Sequence, residues 1–116
     1  MSWGVEFHAE LAAEFMGFAE AVQDEFLAHA KLLAQFGPSL GRPTVDTLKG
    51  SKVPNLKELR FTAEDGVWRV AFAFDRNRIA VLLAAGDKRG KGAARFYKAM
   101  IATAERRFAT WGKRSE

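Results

Sequence analysis

Hydrophobic residues recur along the chain with two different periods, and these periods divide it into predicted strands and helices. In SWGVEFH the apolar residues alternate with small or polar ones, which predicts a short strand. From Ala9 to Phe36 the apolar residues recur every three or four positions, which predicts helical structure. Gly17 interrupts that pattern, so two helices that meet near residues 17–21 are expected rather than one straight rod.

The middle of the chain carries three strand-like segments. FGPSLGRP ends the helical region because its glycines and prolines favour turns, and a polar loop is expected over residues 44–55. In LKELRFT and VWRVAFAF, Arg60 and Arg69 lie opposite the apolar faces of their strands, whereas IAVLLAA is apolar throughout, as in a central strand covered on both sides. AEDG and DRN are short and turn-forming, so the three segments predict an antiparallel meander.

The last predicted element is a helix from about Ala93 to Trp111. Its apolar residues form one stripe, and Gly112 is expected to end it. The order of elements is β-α-α-β-β-β-α, which indicates an α+β fold with the helices packed on the sheet.

Composition excludes several classes of protein. A chain of 116 residues that is 48% hydrophobic has enough material for one core, so a single domain over residues 1–116 is expected. No apolar run approaches the roughly 18–20 residues of a membrane-spanning helix, and no secretory leader is visible, so a soluble protein is expected. The absence of cysteine favours the cytoplasm. His8 and His29 are isolated, so no metal or other cofactor is expected.

Charge is distributed unevenly along the chain. Residues 1–36 carry six acids and one base, a net charge of −5, whereas residues 37–116 carry 17 bases and eight acids, a net charge of +9. The basic part is suited to a polyanionic partner. Glu6, Glu10 and Glu14 recur every four residues, which fits a solvated helix face better than a paired-carboxylate site.

The basic residues near the predicted meander suggest a phosphate-binding groove. Arg60 and Arg69 are expected within a cross-strand pair or diagonal of each other, where they would repel unless an anion lay between them. Lys57 begins the first of these strands, and Lys88 follows the last. The glycines of GDKRGKG would let backbone N–H groups approach an anion, although the spacing is not that of a nucleotide-binding P-loop. The alternative is that these arginines are merely solvated and that Tyr97 is a core residue.

Three stretches carry a resemblance to a known family: GPSLGRPTVDTLKGSKVPNLKELR, WRVAFAFDRNRIAVLLAAGDK and RFYKAMIATAERR. With them, nearly the whole chain resembles the RelE/ParE superfamily of type II toxin–antitoxin toxins, in its phage-related, HigB-like branch. The resemblance implies an N-terminal strand and a helix hairpin packed on a small antiparallel sheet with a C-terminal helix. It also implies metal-independent cleavage of mRNA on the ribosome and inhibition of translation.

The resemblance implies particular site residues. Those matching the catalytic positions of the family are Lys57, Arg60, Arg69, Lys88 and Tyr97, and RNA contacts are expected from Lys49, Lys52, Arg89, Lys91 and Arg95. In a metal-free reaction, arginines would stabilise the charge of the phosphorane. Lys57 or Lys88 would transfer protons, with Tyr97 as the alternative donor or a base-stacking platform.

The partners implied by the resemblance are a cognate helix-turn-helix antitoxin, mRNA on the ribosome and, through the antitoxin alone, operator DNA; no membrane is implied. Two alternatives remain open at this stage. One is a ParE-like inhibitor of DNA gyrase that cleaves nothing. The other is a non-catalytic protein that only binds the antitoxin and regulates transcription.

Overall fold

The structure is a computed structural model that describes residues 3–114, with side chains described as far as Trp111. Ser2, at the start of the first predicted strand, lies outside these residues. The helices and strands, in chain order, are β1 (Gly4–Phe7), α1 (Ala9–Phe15), α2 (Glu20–Phe36), β2 (Val45–Thr47), β3 (Lys57–Ala63), β4 (Gly66–Phe74), β5 (Ile79–Asp87) and α3 (Ala93–Arg114). A short 3₁₀ turn, Gly37–Ser39, follows α2.

The strands form one sheet in the order β1-β5-β4-β3-β2. The three central strands are the antiparallel meander that the sequence predicts. Glu64 and Asp65 both adopt positive φ values, 50° and 62°, which is the backbone geometry of a tight hairpin turn whose twist matches the strands. This turn fixes the β3–β4 register, from Lys57 opposite Phe72 to Ala63 opposite Gly66.

Both faces of the sheet are covered. The helix pair α1 and α2 packs on one face, around a core that includes Leu11, Phe26, Leu59 and Phe72. Helix α3 packs on the other face, over small residues such as Ala71, Ala73 and Ala84. Because side chains alternate along a strand, β4 and β5 contribute to both cores at once.

Three details differ from the expectations. The 44–55 segment contains a strand, β2, because the main chain of Val45–Thr47 pairs with β3. The sheet is mixed, since β1 runs parallel to β5. Helix α3 does not end at Gly112 but continues to Arg114. The cost of one glycine, about 1 kcal/mol, is outweighed by packing such as that of the buried Trp111.

Polar contacts join α1 to α3 across the edge of the sheet. The His8 Nδ1 atom accepts the Glu10 N–H at the start of α1, so the ring Nε2 carries the proton and donates to Thr110 Oγ1 at 2.9 Å. Glu14 forms a short ion pair with the buried Arg107, with Oε2 at 2.6 Å from a guanidinium nitrogen. Glu10 pairs with Arg106 at 3.2 Å. Two of the three regularly spaced glutamates therefore hold α3 in place rather than forming a carboxylate pair.

Candidate functional site

Arg60 and Arg69 lie directly opposite each other on β3 and β4. Both are on the sheet face that carries α3, because Leu59, Phe61 and Val70 occupy the other face. The short β3–β4 turn thus creates a pair of cations, hereafter the arginine pair. The side chains are partly covered, with 32% of Arg60 and 13% of Arg69 exposed.

The carboxylate of Glu58 lies between the two guanidinium groups. It is 3% exposed. Its Oε2 accepts the Arg60 Nε–H at 2.9 Å, and its Oε1 lies 3.7 Å from Arg69 Nε. Like charges this close need a counter-charge, and Glu58 supplies it from the same strand. Glu58 is not among the site residues predicted from the sequence, although its two-residue spacing to Arg60 places both on one face.

Tyr97 reaches the same carboxylate from the first half of α3. Its hydroxyl donates to Glu58 Oε1 at 2.8 Å. Burial raises the pKa of the Tyr97 hydroxyl, and the hydrogen bond to Glu58 raises it further. Tyr97 is therefore a protonated phenol at neutral pH, and its O–H donates a hydrogen bond to the Glu58 carboxylate.

A second carboxylate, from β2, completes the charge balance at Arg60. Asp46 Oδ2 lies 3.3 Å from the Arg60 guanidinium. The hydrogen bond to Glu58 raises the pKa of Arg60, and the charges of Glu58 and Asp46 add to the effect. Arg69 has no second carboxylate partner: its Nη1 donates to the Trp68 carbonyl at 2.9 Å, and its Nε–H is buried without a hydrogen-bond acceptor among the described residues. The two arginines therefore differ: Arg60 is balanced by two carboxylates, whereas Arg69 faces Glu58 alone.

A pocket of about 350 Å³ opens next to these groups and is here called the tyrosine pocket. Its lining consists of Thr47, Leu48, Lys49, Glu58, Arg60, Tyr97 and Ile101. Lys88 adds positive charge nearby, since its Nζ lies 5.6 Å from the centre of the Tyr97 ring. Five of the predicted residues, Lys49, Arg60, Arg69, Lys88 and Tyr97, thus lie at or beside the tyrosine pocket.

Other predicted residues lie elsewhere. Lys57 begins β3 one residue before Glu58, so its side chain is on the opposite sheet face from the arginine pair. Lys52 lies in a loop against α3, where its backbone N–H donates to Glu105. Arg95 lines a separate groove with Glu14 on the far side of α3.

The glycine-rich loop after β5 surrounds the carboxylate of Asp87, the last residue of that strand. The Asp87 carboxylate accepts the backbone N–H groups of Val67 and Arg89, each at 2.9 Å. The Lys91 ammonium donates to the Asp87 carbonyl at 2.8 Å. Arg89 lies 3.6 Å from the same carboxylate. Burial by itself raises the pKa of Asp87, but the hydrogen bonds from the Arg89 and Val67 N–H groups outweigh burial, so the pKa is lowered. The loop is thus organised around Asp87, with Arg89 and Lys91 engaged by it.

No three histidine, aspartate or glutamate side chains within residues 3–111 are grouped so that they could hold a metal ion. The same part of the chain contains no helix long and apolar enough to cross a membrane.

Comparison with known proteins identifies the family. Residues 13–109 match the family described as phage-derived protein Gp49-like (DUF891). The chain belongs to the Gp49-like family. This Gp49-like chain is 37% identical over 100 residues to the candidate toxin HigB2 of Mycobacterium tuberculosis, in a match that covers 85% of the chain and 49% of HigB2. It is 45% identical over 80 residues to the candidate toxin HigB3 of the same organism, covering 69% of the chain and 68% of HigB3. The match thus spans only about half the length of HigB2.

Solved structures share the fold of this Gp49-like chain. A mutant of the Escherichia coli toxin RelE in the free state superposes with a TM-score of 0.60 at 12% identity, covering 88% of the chain and 96% of RelE. RelE from the Pyrococcus horikoshii RelE–RelB complex gives a TM-score of 0.59 at 20% identity, covering 79% and 100%. These likenesses confirm the predicted RelE-like α+β fold. Together with the HigB relatives, they confirm the resemblance to the HigB-like branch of the RelE/ParE superfamily.

Proposed function

We propose that this chain is the toxin of a type II toxin–antitoxin system and that it cleaves mRNA on the ribosome without a metal ion. The observation that carries the proposal is the arrangement of Arg60, Arg69 and Tyr97 around the Glu58 carboxylate at the mouth of a pocket. RNA supplies its own nucleophile, the 2′-OH, so the protein has only to bind the phosphate, stabilise its added charge and move two protons.

The arginine pair is suited to the phosphate. Guanidinium groups remain protonated throughout the reaction and can donate two hydrogen bonds to one phosphate. Donors fixed in place before the reaction stabilise the phosphorane without a cost of reorganisation. Arg60 lines the tyrosine pocket, and Arg69 lies directly opposite it on the same sheet face. Lys88 and Lys49 add positive charge at the rim, where the flanking phosphates of an RNA strand would lie.

Glu58 and Tyr97 can account for both proton transfers. In the proposed reaction the Glu58 carboxylate removes the proton of the 2′-OH as the 2′-oxygen attacks the phosphorus. Tyr97 donates its proton to the leaving 5′-oxygen as the P–O bond breaks, which yields a 2′,3′-cyclic phosphate and a 5′-OH. The proton on Glu58 then returns to the Tyr97 oxygen through their 2.8 Å hydrogen bond, which restores the starting state. This assignment gives Lys57 no part in the proton transfers.

We further propose that a cognate helix-turn-helix antitoxin binds and neutralises the chain, and that operator DNA is bound only through that antitoxin. The support is by analogy: the fold is that of RelE, which in Pyrococcus horikoshii forms a complex with RelB.

Controlled expression with mapping of mRNA 5′ ends tests the proposed cleavage. The wild-type protein should arrest growth and produce new RNA 5′ ends, and Arg69→Gln should abolish both while the purified variant keeps its circular dichroism spectrum. Arg76→Gln is the matched control, because Arg76 is exposed in the β4–β5 turn away from the pocket. Growth arrest with a DNA-damage response and no new RNA ends would instead favour a gyrase inhibitor.

A further inference from the structure

A second pocket lies beside the N-terminal end of β2, where β3 continues beyond its pairing with β2. It is here called the edge pocket. The β2–β3 pairing stops at Val45 and Leu59, followed by one hydrogen bond from the Arg60 N–H to the Thr44 carbonyl at 2.8 Å. Strand β3 runs on to Ala63. The edge pocket has a volume of about 510 Å³ and is lined by Glu25, His29, Pro43, Thr44, Arg60, Phe61, Thr62 and Arg69.

Arg60 connects the edge pocket with the tyrosine pocket, because it lines both. A phosphate bound by the arginine pair would therefore have a pocket on each side. A phosphodiester joins two nucleosides, so the nucleoside on one side of the bound phosphate would point toward Tyr97. The nucleoside on the other side would point into the edge pocket.

The edge pocket offers an aromatic surface of the kind on which nucleobases stack. The His29 ring stacks on the Phe61 ring, with the ring centres 5.3 Å apart and an angle of 27° between the ring planes. Phe61 is 4% exposed, so it acts as the support for His29 rather than as the contact surface. A base stacked on such a platform gains about 1–3 kcal/mol.

Beside the donors of the arginine pair, the edge pocket presents two hydrogen-bond acceptors from α2, on His29 and Glu25. His29 Nδ1 lies 2.7 Å from the Glu25 carbonyl oxygen. A carbonyl can only accept, so Nδ1 carries the proton and a neutral ring leaves Nε2 as an acceptor. The Glu25 carboxylate is a further acceptor and is half-exposed. Guanine presents two adjacent donors on its Watson–Crick edge, N1–H and the N2 amino group, which match the two oxygens of one carboxylate. Adenine and cytosine present one amino group each, and uracil presents one ring N–H.

We infer that the edge pocket binds the base of a nucleotide next to the cleaved phosphate and prefers guanine. The inference rests on the proposed function for its place in the reaction, but the binding itself can be measured without cleavage. Glu25 selects the base through its carboxylate, His29 stacks on it, and the arginine pair holds the adjoining phosphate.

Nucleotide titration of the purified protein tests the pocket directly. GMP, AMP, CMP and UMP are each added while backbone amide signals are followed by NMR. GMP should shift the signals of Glu25 and His29 and bind about tenfold more tightly than the other three, within the range expected for one bidentate base contact. Glu25→Gln should remove that difference, whereas Asp24→Asn, an exposed acid on the same helix outside the pocket, should keep it. Equal affinities for the four nucleotides, or signal shifts confined to other surfaces, would overturn the inference.

The RNA ends mapped in cells separate this inference from the proposed function. Wild-type cut sites should be enriched in guanine on one side of the cleaved bond, and Glu25→Gln should flatten that enrichment among the sites that are still cut. Cleavage with an unchanged base profile in Glu25→Gln would refute the guanine pocket and leave the proposed nuclease intact. If no RNA is cut but the GMP preference is present, the nuclease proposal fails and the pocket remains.

Discussion

The Glu58 carboxylate should be the most important polar group for the stability of this sheet face. In Glu58→Gln the side chain keeps its size but loses the charge that separates the arginine pair. The native carboxylate accepts hydrogen bonds from Arg60 and Tyr97 at 2.8–2.9 Å and is 3% exposed. Removing one partner of a buried ion pair costs about 3–5 kcal/mol. Arg60 is one-third exposed and keeps Asp46 at 3.3 Å, which reduces the cost. We therefore expect a loss of about 2–4 kcal/mol in the free energy of unfolding.

Urea denaturation followed by tryptophan fluorescence measures this loss. The midpoint should fall by roughly 1–3 M with an unchanged slope, since small proteins have slopes of about 1–3 kcal/mol/M. Glu6→Gln serves as the control: it removes the same charge from an exposed position on β1 and should change the stability by no more than about 0.5 kcal/mol.

A double substitution tests the electrostatic reason itself. If Glu58 mainly neutralises two cations, then Glu58→Gln combined with Arg69→Gln should be less destabilising than the sum of the single changes. A loss of less than about 1 kcal/mol in Glu58→Gln, or strict additivity in the double variant, would refute the reasoning.

Three further predictions follow from the fold and the pocket. Tyr97→Phe should reduce RNA cleavage at least about 100-fold, which is the usual contribution of a general acid. Its thermal unfolding should shift by only a few degrees. Unchanged cleavage in that variant would contradict the proposed proton donor. The backbone N–H of Lys52 lowers the pKa of Glu105 in the folded protein. This carboxylate therefore stabilises the fold above its unfolded pKa of about 4.5, and its contribution is lost as the pH falls through the lower pKa of the folded state. Glu105→Gln should therefore be less sensitive than wild type to a fall in pH from about 5 to 3 in urea denaturation, and an identical pH profile would contradict this. Gly37 has φ +55°, and a Cβ there would collide with the Trp3 ring, so Gly37→Ala should lower the free energy of unfolding by at least about 2 kcal/mol in the same assay. Gly41→Ala, with open space around it, should lower it by less than about 1 kcal/mol. Similar losses in the two variants would contradict the steric argument.

The arginine pair could be predicted from the sequence because it depends on local features. Alternation places Arg60 and Arg69 opposite the apolar residues of their strands, and the tight AEDG turn fixes their register. The same alternation shows that Lys57 is on the other face, although the match to the family motif had suggested otherwise. Local reasoning of this kind was sufficient for the meander and for the break between α1 and α2.

Contacts between distant segments could not be predicted in this way. Tyr97 of α3 covers Glu58 near the start of β3, and no local pattern specifies where that helix lies. Strand β2 has three residues, of which Val45 alone is buried, so its place in the sheet depends on pairing with β3 and on that one core contact. The parallel pairing of β1 with β5 likewise joins segments from opposite halves of the chain.

That parallel pairing affects the order in which the chain can fold during translation. The first strand and both N-terminal helices leave the ribosome before β5 exists, so their apolar faces have no partner while most of the sheet is still being made. Phe26 and Leu33 are fully buried in the finished fold and would be exposed in the nascent chain. The net negative charge of this first third keeps neighbouring nascent segments apart by repulsion. We therefore expect the acidic residues of α1 and α2 to oppose aggregation of the nascent chain until its C-terminal half is complete.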